Sequence, residues 1–392
     1  MSEKSVNYFA PGRKQLPSSE NVSVSSLAGL FSNTTNSYKY IFFLSILDIL
    51  KRRNFNISDN IAFEDLIVEI LANAWYPHTY FKLSFGKQDQ IAKKLESLAL
   101  EIDEPVLKFT DTDKTLLRQS IAAQDLREIT RKLVRYVPFR LIAPFFEKEM
   151  RSVKDKGNAR DSAIPKAAEA YFDEKKPLYR FDSEVHSLCS AIIIHPSWAS
   201  YLQEHYSIVR GWASWEWLEY MQKRNPNTPG LVYKLFAPTK RAALTKQINY
   251  WKTVLREGNL NCIYSNRKLE IDNISLDHYL PWSFIAHDQL WNLIPTFPEV
   301  NSSKSNNLPP ENSFENFVRL QHAALEAYFT GGNRSYDKLI KDDYAQGLRI
   351  YDIEDLRSLK KLKNAYGEVV QSQLSLATNQ GFSIWQSPYS AA

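Results

Sequence analysis

The segment from Cys262 to Pro309, CIYSNRKLEIDNISLDHYLPWSFIAHDQLWNLIPTFPEVNSSKSNNLP, constrains this chain more than any other. Its polar anchors are Asp277-His278, then Asn292, then Asn301 with Lys304 three residues on. A strand-like run through Ile274 and Leu276 delivers the Asp-His pair, and Pro281 breaks that strand. A loop leads to Trp291-Asn292-Leu293. Pro298 suits the first turn of a short helix. On that helix Asn301, Lys304 and Ser305 fall on one face, because residues three and four apart are neighbours. Asn307 and Pro309 mark its end. The predicted order is strand, loop, strand, helix, with polar residues at each turn.

Taken singly, these residues say little. An Asp-His pair at a strand end is an ordinary polar pair, and Asn301 or Lys304 alone reads as a solvated helix residue. The joint spacing says more. Cys262-Ile263-Tyr264-Ser265, Leu276-Asp277-His278, Pro281-x-Ser283-Phe284, Asp288, Asn292 and Asn301-x-x-Lys304-Ser305-x-Asn307-x-Pro309 together resemble the HNH nuclease domain, the ββα-metal fold, in its His-Asn-Asn form. The likeness is to the HNH module of RNA-guided CRISPR effector nucleases and to stand-alone bacterial HNH proteins. It covers about an eighth of the chain.

The chemistry of these residue types agrees with that likeness. Phosphodiester hydrolysis needs a nucleophile and stabilisation of charge on the phosphoryl and leaving oxygens, and a divalent ion supplies much of the latter. Asp277 offers a carboxylate oxygen and Asn301 an amide oxygen. Two hard oxygen ligands, completed by water and phosphate, suit Mg²⁺, with Mn²⁺ as a substitute. A histidine at 301 would have favoured zinc or nickel. The unperturbed pKa of a histidine lies close to neutrality, so His278 is the natural general base. Adjacent strand residues point to opposite faces, so spacing alone does not bring Asp277 and His278 to one phosphate. The resemblance implies that they meet there. It also implies that Asn292 holds the loop and the His278 backbone or ring, and that Lys304 lies near the scissile phosphate or steadies the site.

Members of that family often carry paired Cys-x-x-Cys motifs around a structural zinc. This chain has only Cys189 and Cys262, far apart and without partners at metal spacing, so no structural zinc is expected. The module must then be held by packing against the rest of the protein. Cys262 reads as a small buried thiol. Trp282 is expected to pack under the motif, and His287 to face solvent.

At 392 residues the chain can hold two or three domains. A net charge of +5 permits a nucleic-acid partner without requiring one. Two cysteines make no disulfide framework. The first residues, MSEKSVNYFAPGRK, have no apolar signal core. The longest apolar run, Tyr38 to Leu50, is too short for a membrane span and contains Asp48. A soluble, cytoplasmic protein with no membrane partner is expected.

Five regions are predicted: a flexible arm at 1–36, a helical domain at 37–155, a mixed middle region at 165–257, the HNH module at 258–312 and a helical region at 313–380. Ser37 reads as an N-cap for a helix over Tyr38–Arg53. Further helices are expected over Ala62–Trp75, stopping at Pro77, and over Asp89–Leu100, Asp113–Gln124 and Asp125–Tyr136. Arg131, Lys132, Arg135, Arg140, Lys148, Arg151, Lys154, Lys156 and Arg160 make a basic stretch interrupted by acids. It reads either as a solvated face or as a surface that tracks phosphates. Asp155–Ala163 reads as a connector. Ile192–Ile194 suggests a strand. His186, His195 and His205 lack metal spacing and read as structural. Ile208, Trp212, Trp215 and Leu218 form a helical stripe read as core. Thr239–Arg256 reads as an amphipathic helix. Its cations Lys240, Arg241, Lys246, Lys252 and Arg256 are the candidate nucleic-acid contacts, because the HNH segment itself is richer in acids. Helices are also expected over Ser313–Phe329, Ser335–Gln346 and Asp352–Ala377.

The reading is a mainly α protein with an embedded ββα-metal module, α+β overall. Its expected function is Mg²⁺-dependent cleavage of DNA, nicking one strand per site, as a bacterial anti-phage defence or restriction-type effector. Expected sites are His278, Asn292 and Lys304 for catalysis and Asp277 and Asn301 for metal. Partners consistent with that role are DNA, a sensor, ATPase or other defence subunit, and further copies of the chain. Two alternatives stand beside it. One is an HNH-fold RNase, since metal and base act on phosphate and a 2′-hydroxyl contact would decide. The other is a non-catalytic nucleic-acid-binding or interaction subunit, against which the intact Asp277, His278 and Asn301 argue.

Overall fold

A computed structural model describes residues 16–32, 34–86, 89–98, 111–151, 153, 159–236 and 242–389. The chain divides into two compact units, Met1–Pro226 and Asn227–Ala392. Both are mainly helical, with one small sheet each. None of the described helices is long and apolar enough to cross a membrane.

The first unit is built around α1 (Tyr38–Arg52), whose residues from Tyr40 to Leu50 are buried with the sole exception of Asp48. A helix apolar on nearly every side belongs inside a helical layer. It packs against α2 (Phe63–Trp75) and, far along the chain, the helix over Tyr206–Arg224. Ser37 stands at the N-cap but makes no side-chain capping bond; its hydroxyl donates instead to Asp89 Oδ2 at 2.6 Å. Pro77 does not stop α2. The chain continues as a π turn over Tyr76–Tyr80, whose wider winding accommodates the proline ring.

Strand β1 (Ile61–Ala62) leads into α2, and α3 (Arg127–Leu133) follows it along the chain. Strands β2 (Tyr179–Phe181) and β3 (Ala191–Ile194) complete an antiparallel sheet of order β1-β3-β2. Two expectations fail here. The stripe Ile208, Trp212, Trp215, Leu218 is not the buried face of the Tyr206–Arg224 helix: Ile208 and Trp215 are exposed, and Val209, Ala213, Trp217, Tyr220 and Met221 face inward. Apolar residues line both sides of this helix, so its period was legible and its phase was not. Of the expected connector, residues 159–163 belong to a helix over Ala159–Ala170; residues 155–158 lie outside the described set, with Lys154 and Lys156.

In the second unit α4 (Leu231–Leu235) precedes α5 (Thr245–Glu257). The latter begins later than expected, since residues 242–244 are not helical; Lys240 and Arg241 lie outside the described residues. Strand β4 (Ser275–His278), a one-turn helix α6 (Trp282–Ile285), strand β5 (Leu293–Thr296) and helix α7 (Pro298–Lys304) follow. β4 and β5 pair antiparallel, with Asp277 opposite Ile294 and His278 opposite Leu293. Pro298 occupies the first turn of α7, where its missing N–H costs nothing.

The later helices hold this hairpin. Along α8 (Phe314–Thr330), Gln321 donates from Nε2 to the carbonyls of Leu290, Trp291 and Leu293, and accepts from Tyr344 at 2.6 Å. Tyr366 also donates to the Trp291 carbonyl. Phe317 stacks face to face on Tyr279, centroids 3.8 Å apart. These contacts satisfy backbone groups where β5 begins, which buried carbonyls require. On α9 (Asp337–Leu348), Gly347 lies under the Trp291 indole, so close that a Cβ there would fall 1.8 Å from Nε1. The expected helix over Asp352–Ala377 is broken at Arg357-Ser358, where Ser358 caps a new helix, and passes through a π turn at Gly367–Gln371.

Candidate nuclease site

Asp277 and His278 end β4, and α7 returns across it. Lys304, in the last turn of α7, is wholly buried, and its ammonium donates to Asp277 Oδ1 at 3.0 Å and to the His278 carbonyl at 2.8 Å. Tyr264 donates to the other oxygen, Oδ2, at 3.0 Å. Burial pushes the Lys304 ammonium below its ordinary value, and the Asp277 carboxylate opposes that. Asn301, one turn before Lys304, donates from Nδ2 to Ser275 Oγ at 2.7 Å and to the Leu276 carbonyl at 3.2 Å. Helical spacing on α7 thus sets Asn301 and Lys304 against alternate residues of one strand, Ser275 and Asp277.

His278 points elsewhere. Its Nε2 lies 2.8 Å from Asp288 Oδ1 in the loop after α6. The Asp277 carboxylate is 3% exposed and the His278 and Asp288 side chains 11% and 21%. Asn292 spans the hairpin, accepting from the Leu280 N–H at 2.8 Å and donating to its carbonyl at 2.9 Å. The two bonds are the pair a strand neighbour would make, so they tie the chain just past His278 to the start of β5.

His287 does not face solvent. It is half-buried with its ring 5.3 Å from Trp291, and burial, with the nearby His278 second, pushes it down to about 4. Trp282 is buried, as is Cys262, whose thiol lies 3.1 Å from Thr296 Oγ1.

The structure therefore gathers Asp277, His278, Asn292, Asn301 and Lys304. Of the candidate contacts on α5, Lys246 and Arg256 are exposed and Lys252 is half-buried, with Lys252 and Arg256 one turn apart. Sequence reasoning missed the contacts of Tyr264 and Asp288. Both stand within the motif, but only the fold brings the hydroxyl to Asp277 and the carboxylate to His278.

Among the described residues, no three His, Cys, Asp or Glu side chains group as a metal cage. The donor set nonetheless fits a hard divalent cation. Asp277 oxygens each accept one hydrogen bond, and a carboxylate has about four acceptor positions. The Asn301 nitrogen is committed to Ser275 and Leu276, which turns the amide oxygen toward other partners. One carboxylate and one amide oxygen suit an ion that keeps most of its waters.

Two antiparallel strands closed by a returning helix make a small ββα module, with an Asp-His pair at the end of its first strand. Residues 262–310 match the family model described as HNH endonuclease. The chain carries an HNH-family nuclease domain within a mainly helical protein. No curated protein and no solved structure matches it.

Proposed function

We propose that this protein is a Mg²⁺-dependent endonuclease that hydrolyses phosphodiester bonds in DNA, cutting one strand per encounter. The observation that supports this is the placement of Asp277 and His278 at the end of β4, with Asn301 of α7 bonded to the same strand, inside the segment that matches the HNH endonuclease family.

In this reading His278 is the base. With Asp288 accepting at Nε2, the neutral ring carries its lone pair on Nδ1, the atom that takes the proton of the attacking water. Asp288 fixes the ring and stabilises the imidazolium that results, as a carboxylate does beside a catalytic histidine. Asp277 and Asn301 would hold the divalent ion, which when bound stabilises charge on the phosphoryl and leaving oxygens. Lys304 holds Asp277 and the His278 backbone in one frame, and Asn292 holds the loop between the strands. Lys246, Lys252 and Arg256 on α5 supply cationic surface for the phosphate backbone. A single metal site accounts for one cut per encounter. The spaced motif resembles that of bacterial defence and restriction-type nucleases, and that role, with a sensor subunit or further copies of the chain as partners, is the biological setting we infer.

The test is incubation of the purified protein with supercoiled plasmid and with RNA, in Mg²⁺ or in EDTA, beside His278→Ala. Nicked plasmid that requires Mg²⁺ and is lost in the variant is expected. Cutting of RNA alone would move the substrate, and nicking that survives in His278→Ala would overturn the mechanism.

A further inference from the structure

The basic stretch from Arg131 to Arg160 has no part in the nuclease site, and the fold of the first unit gives some of it a concave shape. Arg140, Arg151 and Arg160 line one cavity of about 590 Å³, together with Lys39 from the first turn of α1. That volume lies inside the range of small-molecule sites, roughly 300–1,000 Å³. The acids in the lining are Asp161 and Glu147, so the set stays cationic even with both ionised.

These acids do not reach every cation. Asp161 is buried and committed to Arg140, whose Nε and Nη2 donate to it at 3.0 and 2.7 Å. Lys39 is half-buried and has no carboxylate partner among the described residues; its ammonium donates to the Leu30 carbonyl at 3.3 Å. Burial, with Arg140 second, pushes that ammonium below its ordinary value, and no acid opposes the shift as Asp277 does at Lys304. Lys39 is thus a half-buried charge beside a like charge, and an anion that met it would relieve the cost of both.

The other cations are within reach of a ligand. The Arg140 side chain is 51% exposed. Arg151 is exposed and has no carboxylate partner among the described residues. Arg160 is exposed as well, with its Nε donating to the Val153 carbonyl at 3.4 Å. Beside these charges lies apolar surface: Ala143, Pro144 and Met150 line the cavity and are partly exposed. No aromatic ring stands among the described lining residues.

We infer that this cavity binds a small phosphate ester, with the phosphate at Lys39, Arg140 and Arg151 and a short aliphatic group on Ala143, Pro144 and Met150. A phosphate dianion compensates the lone ammonium, and guanidinium groups suit its oxygens by their planar donor fork. The apolar strip favours an ester over inorganic phosphate, because it offers surface that only a carbon chain can cover. A concave site without a stacking ring favours a small ligand over a nucleic-acid strand, which draws affinity from successive aromatic platforms along a groove.

Calorimetric titration of the full chain in EDTA at constant ionic strength tests this. The probes are n-butyl phosphate, inorganic phosphate, n-butanol and a short single-stranded oligonucleotide. Butyl phosphate is expected to bind, inorganic phosphate to bind about tenfold more weakly, and butanol not to bind. Lys39→Met is expected to weaken butyl phosphate about a hundredfold. Without ligand that variant is expected to melt no lower than the parent, since it removes an uncompensated charge. Butyl phosphate is expected to raise the melting temperature of the parent and not of Lys39→Met. Arg151→Gln, at an exposed position, is expected to weaken the ester about tenfold with an unchanged circular dichroism melt. Absence of butyl phosphate binding at millimolar concentration overturns the proposal. So does binding indifferent to both substitutions, inorganic phosphate or butanol binding as tightly as the ester, or an oligonucleotide that displaces the ester with affinity rising with length. None of these outcomes depends on nuclease activity.

Discussion

Lys304 Nζ lies 3.0 Å from Asp277 Oδ1 and 2.8 Å from the carbonyl of His278, so one buried ammonium fixes both residues of the Asp-His pair. The pair is buried with its hydrogen-bond partners in place, which is the condition under which a buried ion pair is tolerated. Removing one partner leaves the other charge buried alone. Lys304→Met is expected to cost about 3–5 kcal/mol in urea unfolding. The double variant Lys304→Met with Asp277→Asn is expected to recover part of that loss, because no lone charge remains. Equal destabilisation of the single and double variants would show that the pair does not act as a unit.

Asp288 meets His278 at 2.8 Å, and the proposed mechanism gives it the work of orienting the ring. Asp288→Asn keeps the shape and removes the charge. It is expected to lower the rate of plasmid nicking at saturating Mg²⁺ by about 10²–10⁴-fold, within the range for losing general-base assistance. Folding stability is expected to change by less than about 1 kcal/mol, since the pair is partly solvated. An unchanged rate would remove Asp288 from the mechanism.

Gly347 has no room for a side chain beneath Trp291, where a Cβ would fall 1.8 Å from the indole nitrogen. Gly347→Ala must displace the ring and its bond to Gln289. Overpacking of this kind costs about 1–3 kcal/mol or more, to be read from denaturant titration followed by tryptophan fluorescence. The variant is also expected to lose nicking activity, because Trp291 adjoins Asn292. A Gly347→Ala protein as stable as the parent would contradict the packing.

Lys234 on α4 is buried, donates to the Phe284 carbonyl at 2.5 Å, and is pushed down to about 7 by desolvation. The unfolded chain holds this proton up to about pH 10.5, so between pH 7 and 10.5 it binds more protons than the folded one. Stability must then rise with pH across that window. The difference in unfolding free energy between the parent and Lys234→Met should grow in the parent's favour from pH 7 to pH 9.5. A difference that is flat with pH would show that Lys234 keeps an ordinary affinity for its proton.

His287 gives a second window. Its folded value of about 4 lies below the ordinary 6.5, so the unfolded chain binds more protons between those values. The fold is expected to lose stability as pH falls from 6.5 toward 4. His287→Phe, which keeps an aromatic ring against Trp291, is expected to flatten that part of the profile in acid titration of the unfolding midpoint. A parent and variant with parallel acid profiles would reject this.

Much of the nuclease module was legible in the chain. Pro281 and Pro298 punctuate it because a ring that fixes φ and removes a donor has few places to go, and both stand where expected, after β4 and at the start of α7. The i, i+3 spacing of Asn301 and Lys304 was enough to put them on one helix face. Elsewhere local rules ran out. Pro77 was expected to end α2, yet packing carried the helix on through a wider turn. The stripe through Ile208 and Trp215 had the right period and the wrong phase, because an aromatic-rich helix offers two candidate inner faces and only its neighbours choose between them.

By itself, then, the sequence determined the module's strands, its helix and their order, since turn chemistry and helical periodicity act over a few residues. Tertiary structure decided what those residues touch. The bonds of Tyr264 and Lys304 to Asp277, of Asp288 to His278, and of Gln321 to the carbonyls at the start of β5 join positions 10 to 31 residues apart. Such contacts form only when packing of the whole unit repays the entropy of closing those loops, a free energy no local pattern encodes.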